Sequence, residues 1–122
     1  EKIRVLESKK ELVHEMKMVL ERGDVEGFGE LLEKEWEWKK KLHPEMTNTR
    51  VDEIRDLALK NGAISGKTTG AGIGGHMLFY CKPNKEHIVV EALEKAGIRV
   101  VDFSFDNTGL KTWEINKEWK KY

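Results

Sequence analysis

The sequence lacks several features that mark common functional classes. Among its 122 residues there is one cysteine, Cys81, so no intramolecular disulfide can form and a reducing, cytosolic setting fits. Lysine plus arginine and aspartate plus glutamate number 22 each, so no net charge attracts nucleic acid or an anionic membrane. No apolar run approaches the ~20 residues of a membrane-spanning helix. We therefore expect one cytoplasmic domain that binds neither nucleic acid nor membrane.

The histidines show no metal-site pattern. The four of them, His14, His43, His76 and His87, are not spaced as ligands, and one cysteine cannot complete a zinc set. We predict no metal site in this chain. Because the chain begins at Glu1 rather than at methionine, we also expect Glu1 to be a cut within a longer protein.

The first half of the chain has helical periodicity. Leu6, Val13 and Leu20 repeat every seven residues, and further apolar residues lie beside them: Val5, Leu12, Met16 and Val19. This spacing predicts a helix over 3–20 with one broad buried stripe. Gly23 ends it, and Asp24 is a good N-cap for a second helix.

The second helix carries apolar side chains on more than one face, so we expect it to be packed on two sides. Gly27 and Gly29 near its start indicate either fraying or the close approach of another backbone, and we expect close packing. The sequence TNTRVDEIRDLALKNG then predicts a third helix, with Thr49 and Asp52 in capping-box spacing and Asn61-Gly62 at its end.

From Ala63 onward the pattern is typical of strands. HMLFYC is a short apolar run, and a helix follows between Pro83 and Gly97. IRVVDFSFD and LKTWEI then predict two further strands joined by a DNTG turn, with Val101, Phe103 and Phe105 on one face. The predicted fold is α+β, an antiparallel sheet covered by helices. It has a helical part (1–62), a sheet part (63–115) and a tail (116–122).

Between the first two predicted strands lies GKTTGAGIGG, residues 66–75, with four glycines among residues 70–75. A Walker A loop needs four residues between its first glycine and Gly-Lys-Thr, but Gly62 and Gly66 are separated by three. The dinucleotide-binding GxGxxG must open a helix, whereas a strand follows here. A protein-kinase glycine loop does join two strands, but no catalytic-loop segment follows. These three architectures are therefore excluded.

The remaining interpretation is a loop whose glycines leave backbone N–H groups uncovered, so that a phosphate or another backbone can approach closely. The alternative is a wide turn without a ligand, although four glycines exceed what a hairpin turn requires.

GKTTGAGIGGHMLFYC resembles the third motif of the GHMP small-molecule kinases, a glycine-rich loop followed by an apolar strand. Over almost the whole chain the pattern is similar to sugar 1-kinases that act on D-glycero-D-manno-heptose 7-phosphate, including EWEWKKKL and FSFDNTG. The resemblance implies the ferredoxin-like C-terminal domain of such a kinase. Two positions depart from the motif: Ile73 replaces a small residue, and His76 stands where an apolar or small residue is common.

The resemblance also implies an activity, its cofactors and its site. The reaction would be ATP- and Mg²⁺-dependent transfer of a phosphoryl group to the anomeric hydroxyl of a sugar phosphate. The motif maps onto Gly70, Ala71, Gly72, Gly74 and Gly75. Further substrate or phosphate contacts are expected from Lys67, Thr69, His76, Lys39 and Lys40, although the lysine run 39–41 also fits a solvated helix face.

The family's ATP-phosphate loop and acidic catalytic residue belong to an N-terminal domain, and neither is found in this sequence. We therefore expect no catalytic residue here, and a chain that is inactive alone. The missing domain would cover exposed apolar residues, and copies of the isolated chain could associate through them. The alternative is a stand-alone α+β module that binds a phosphorylated small molecule or a partner chain without chemistry.

Overall fold

The computed structural model describes residues 2–70 and 75–114, with Lys2 described by its backbone alone. Four α-helices and two strands follow one another along the chain: α1 (Lys2–Glu21), α2 (Val25–Leu42), α3 (Thr49–Lys60), β1 (Ala63–Thr68), β2 (Met77–Cys81) and α4 (Glu86–Lys95). A short 3₁₀ helix, Pro44–Met46, lies between α2 and α3. The predicted α+β class is confirmed.

The two strands form an antiparallel hairpin around the glycine-rich loop. Thr68 pairs with Met77 at the loop end and Ala63 with Cys81 at the open end. An irregularity between Ala63 and Ser65 shifts the register. Because side chains alternate along a strand, Phe79 and Tyr80 of β2 point to opposite faces of the hairpin.

Helices cover both faces of the hairpin. On the face of Phe79, the core is formed by Ala58 of α3, Ala63 of β1, and Val89 and Leu93 of α4. On the face of Tyr80, α2 packs so closely that a Cβ added at Gly29 would lie 2.5 Å from the tyrosine ring. The expected close approach at Gly29 is therefore made by a side chain.

Helix α2 lies between α1 and β1, as its two-sided apolar pattern predicted. Trp36 of α2 is fully buried, and Leu12 of α1 is 2% exposed. The heptad prediction for α1 is only half right. Leu12 is buried and Val5, Met16 and Val19 are partly buried, but Leu6, Val13 and Leu20 are each more than half exposed. The helix buries one side of its apolar stripe because, in the part of the chain that the structure describes, it packs mainly against α2.

The helix ends depend on specific caps. The Asp24 carboxylate accepts the Gly27 N–H at 2.9 Å, which confirms the predicted N-cap of α2. The N-cap of α3 is Asn48 rather than Thr49, and its side chain accepts the Val51 N–H at 3.0 Å. Asp52 instead accepts a hydrogen bond from the Thr47 hydroxyl. At the end of α4, Gly97 has a φ of +76° and the Ile98 N–H bonds back to the Leu93 carbonyl.

The predicted third and fourth strands are wrong over the described residues 98–114, which contain no strand. Phe103, Phe105 and Trp113 are 67%, 85% and 77% exposed. Asp106 does form a local turn, since its carboxylate accepts the Thr108 N–H at 2.9 Å. Alternating apolar residues define two faces, but a strand also needs a neighbouring backbone for its hydrogen bonds. Ile115 and the predicted tail lie outside the described residues.

Candidate functional site: a lysine cluster at the base of the glycine loop

The glycine loop is closed at its base by Thr69 and His76. The Thr69 backbone N–H donates to the His76 carbonyl at 2.9 Å, and the Thr69 hydroxyl donates to the same oxygen at 3.1 Å. Gly70 and Gly75 have φ angles of +67° and +93°, and a Cβ on either would meet no atom within 4 Å. Backbone conformation, rather than lack of space, therefore requires glycine at these two positions. The motif positions Ala71, Gly72 and Gly74 lie outside the described residues.

Lys39 of α2 reaches the start of this loop. Its ammonium donates to the Thr68 carbonyl at 3.4 Å and to the Gly70 carbonyl at 3.3 Å. Among residues 2–70 and 75–114, no carboxylate lies within ion-pair distance of this ammonium. Burial lowers the pKa of Lys39, and the nearby Lys67 charge lowers it further. The protonated side chain is thus held beside the loop at an electrostatic cost.

Glu35, one turn before Lys39 on α2, is bonded by two other lysines. Lys67 of β1 donates to Glu35 Oε2 at 2.5 Å, and Lys9 of α1 lies 3.0 Å from Glu35 Oε1. Burial alone would raise the pKa of Glu35, but the hydrogen bonds from Lys67 and Lys9 outweigh it and hold the pKa below its ordinary value. One carboxylate therefore joins three elements of the fold.

Together these groups form what we call the lysine cluster: Lys9, Lys39, Lys67 and Glu35. Their side chains are partly buried, with Lys9, Lys67 and Glu35 at 28%, 24% and 16% exposure. Three ammonium groups and one carboxylate leave a formal charge of +2. A partly buried surplus of positive charge beside a glycine loop is suited to binding an anion.

Two other predicted contact residues, Lys40 and His76, lie outside the lysine cluster. Lys40 pairs with Glu37 on its own helix, with Nζ and Oε1 2.7 Å apart. The side chain of His76 is exposed, and its backbone carbonyl is the group that closes the loop. Of the predicted contacts, the structure thus brings Lys39 and Lys67 into the cluster and places Thr69 at the loop base.

A second charged pair, Arg55 and Glu33, lies beside Gly66, the residue that precedes Lys67 on β1. Arg55 of α3 is 9% exposed and donates through Nε to the Gly66 carbonyl at 3.1 Å. Its Nη2 group bonds to the Glu33 carboxylate of α2. Here one cation meets one anion and a backbone carbonyl, so the charges balance.

Four residues of these sites were not predicted from the sequence, although the spacing indicates two of them: Lys9, Glu35, Glu33 and Arg55. Lys9 follows Val5 by four residues and precedes Leu12 by three, which puts it on the buried stripe of α1. Arg55 stands between Val51 and Ala58 in the same way. A charged residue on a buried helical stripe requires a partner, and it predicts an internal ion pair.

Two surface grooves lie away from the loop. One, of about 370 Å³, is lined by residues of α3, including Arg50 and Lys60, and by Ala96 and Ile98 just after α4. The other lies at the start of α2 beside Tyr80. Among the described residues, no three His, Cys, Asp or Glu side chains are grouped to hold a metal ion. No described helix is long and apolar enough to cross a membrane.

The fold and site define an α+β domain in which helices support a glycine-rich strand–loop–strand hairpin. The family "GHMP kinases C terminal" matches residues 16–99, and the chain belongs to this family.

Two comparisons extend this assignment. The chain is 42% identical over 100 residues to the D-glycero-α-D-manno-heptose 7-phosphate kinase of Campylobacter jejuni. The aligned region covers 82% of this chain and 30% of that protein. It also resembles the crystal structure of a C. jejuni protein described as a sugar kinase, with a TM-score of 0.55 and 40% identity. That match covers 70% of this chain and 26% of the other. The chain thus spans about a third of the length of these relatives or less.

Proposed function

We infer that this chain is the C-terminal part of an ATP-dependent kinase that phosphorylates the anomeric hydroxyl of a sugar phosphate such as D-glycero-D-manno-heptose 7-phosphate. The observation that carries the proposal is the 42% identity to a heptose 7-phosphate kinase over 82% of the chain. The lysine cluster beside the glycine loop supports it, because phosphoryl transfer depends on cations that hold and neutralise phosphate oxygens. Since ATP is the donor, we place the reaction in the cytoplasm.

In this proposal the five motif residues of the loop approach the reacting phosphate: Gly70, Ala71, Gly72, Gly74 and Gly75. Lys39 and Lys67 supply positive charge, and Thr69 closes the loop base. The lysine cluster does not fit Mg²⁺, which prefers several oxygen ligands, because its one carboxylate is bonded by two lysines. The ligands of that ion and the catalytic residue would come from an N-terminal domain.

The direct test uses the full-length protein that carries this chain, with ATP, Mg²⁺ and heptose 7-phosphate. We expect ADP release together with a new anomeric phosphate resonance in the ³¹P spectrum. The methyl glycoside of the same sugar phosphate is the matched control, since its anomeric oxygen is blocked. Absence of the new resonance with the free sugar, or equal ADP release with the glycoside, would contradict the proposal.

The 122-residue chain alone should show no turnover in the same assay, because one glycine loop and a lysine cluster cannot complete a phosphoryl-transfer site. Detectable phosphorylation by the purified chain would contradict this part of the proposal.

We also propose that the remainder of the kinase covers the exposed apolar side chains of α1 and of residues 101–113. Ile3, Leu6 and Val13 are 73%, 52% and 63% exposed, and the C. jejuni heptose 7-phosphate kinase extends beyond the 100 matched residues by more than twice their number. Hydrogen exchange should slow in these segments when full-length protein is compared with the chain. A homodimer of the isolated chain that protects the same residues equally would instead assign the surface to a second copy.

A further inference from the structure

The lysine cluster contains more positive charge than its own carboxylate can neutralise. Glu35 uses one oxygen for Lys67 and the other for Lys9, while Lys39 bonds only to backbone carbonyls at 3.3 and 3.4 Å. Charged donors usually form shorter bonds to oxygen, about 2.7–2.9 Å when the acceptor is also charged. The Lys39 ammonium is therefore held near the loop without a strong acceptor.

Glu35 bonds to the lysines in the way that a bound phosphate group would, through negatively charged oxygens. A carboxylate offers two oxygens to two lysines, whereas a phosphate monoester offers three and carries about −1.5 to −2 charge at neutral pH. The three lysines have a formal charge of +3, and Glu35 lowers the charge of the cluster to +2. An incoming phosphate would satisfy all three lysines, including Lys39, and neutralise the surplus.

We propose that Lys9, Lys39 and Lys67 form a phosphate-binding site at the base of the glycine loop, in which Glu35 replaces the phosphate when the site is empty. This inference rests on the proposed function for its biological ligand, but not for phosphate binding itself. Two sources supply the same chemistry: the phosphate of the sugar acceptor and a phosphate of the nucleotide. Lys9 lies on α1, so the site includes a helix that contributes nothing to the glycine motif.

A purely structural role is the competing interpretation, because the cluster also joins α1, α2 and β1. The two roles make opposite predictions for Glu35→Gln, which keeps the side chain's size and removes its charge. If Glu35 only fixes the lysines, the substitution weakens phosphate binding. If Glu35 competes with phosphate, the substitution strengthens it.

The test measures binding of inorganic phosphate to the 122-residue chain by calorimetry at constant ionic strength. We expect Lys39→Met and Lys67→Met each to weaken binding about tenfold, as loss of one charge-assisted hydrogen bond implies. Lys39→Arg and Lys67→Arg, which keep the charge, should retain most of the affinity. Lys95→Met is the matched control, since Lys95 pairs with Glu91 on the exposed face of α4.

Glu35→Gln should bind inorganic phosphate more tightly than the unaltered chain. Weaker binding by this variant, or equal affinities for Lys39→Met, Lys67→Met and Lys95→Met, would overturn the proposal. Circular dichroism of each variant separates loss of binding from loss of fold, and the arginine variants keep the test valid if a methionine variant unfolds.

Two further titrations identify the source of the phosphate. In one titration heptose 7-phosphate competes with inorganic phosphate for the chain, and in the other ATP competes with inorganic phosphate. Competition by either compound supports the site and identifies its ligand. In the full-length kinase, Lys67→Met should then raise KM for that ligand and not for the other. If the full-length protein proves to have no kinase activity, the proposed function fails while the binding titration still decides the phosphate site.

Discussion

Two neighbouring residues of β1 belong to two different kinds of charged site. Gly66 accepts a hydrogen bond from Arg55, which is buried and bonded to Glu33, so that site has one cation and one anion. Lys67 belongs to the lysine cluster, which is partly exposed and contains three cations for one carboxylate. The two sites are adjacent on β1, but α3 and α2 supply the first, whereas α1 and α2 supply the second.

A structural ion pair and a ligand site differ in how their charges are balanced. At Arg55, each charged group meets a protein partner, so a ligand would have nothing to neutralise. At the lysine cluster the charge is unbalanced and the side chains are reachable from solvent. Charge balance distinguishes the two sites, rather than exposure, because the Glu33 side chain at 32% is more exposed than that of Lys9, Lys67 or Glu35.

Among the charged sites, the largest expected effect is at Arg55. Arg55→Met leaves the Glu33 carboxylate without its cation and the Gly66 carbonyl without its side-chain donor, so we expect a loss of about 3 kcal/mol in the free energy of unfolding. Urea unfolding measures it. The control is Arg50→Met on the same helix. Arg50 and its partner Glu53 are each 61% exposed, so this change should lower the free energy of unfolding by less than about 0.5 kcal/mol. Equal losses for the two variants would contradict a structural role for Arg55.

Gly66→Ala tests the packing beside that site. An added Cβ would lie 2.5 Å from the Phe79 ring, so we expect a loss of about 1–3 kcal/mol. Combining it with Phe79→Leu should cost less than the sum of the two single changes, because the smaller side chain gives room to the methyl group. Strict additivity in urea unfolding would show that the clash is not between these two residues.

Glu35→Gln tests the lysine cluster through stability and pH. Because the folded protein lowers the pKa of Glu35, the carboxylate stabilises the fold above the unfolded-state pKa, and this contribution disappears as the pH falls through the folded-state pKa. At neutral pH and low salt we expect the variant to lose about 1 kcal/mol. Unfolding curves of the two proteins should converge in acid. A difference that persists below both pKa values would contradict an electrostatic origin.

The smallest effect is expected in the exposed C-terminal segment. Phe105 is 85% exposed, so Phe105→Ser should change stability by less than about 0.5 kcal/mol. Leu93→Ala, in the core at 4% exposure, is the contrasting variant and should cost about 2–5 kcal/mol. A loss of stability above about 1.5 kcal/mol for Phe105→Ser would instead support the strand predicted at this position.

The sequence predicted local structure well where the signal is itself local. Asp24 as an N-cap, Gly97 as a helix end and the apolar run of β2 each depend on residues near in sequence. The strands predicted over 98–114 failed because alternation specifies faces but not a pairing partner. The lysine cluster was found only in part, since the Glu35 contacts depend on how α1 and β1 approach α2.

The lysine cluster as a ligand site can be tested by ¹⁵N NMR of the lysine ammonium groups during a titration with inorganic phosphate. We expect the signals of Lys9, Lys39 and Lys67 to shift together and saturate at one affinity, while the Lys95 signal stays in place. Shifts of similar size in all four, or none in the cluster, would contradict it.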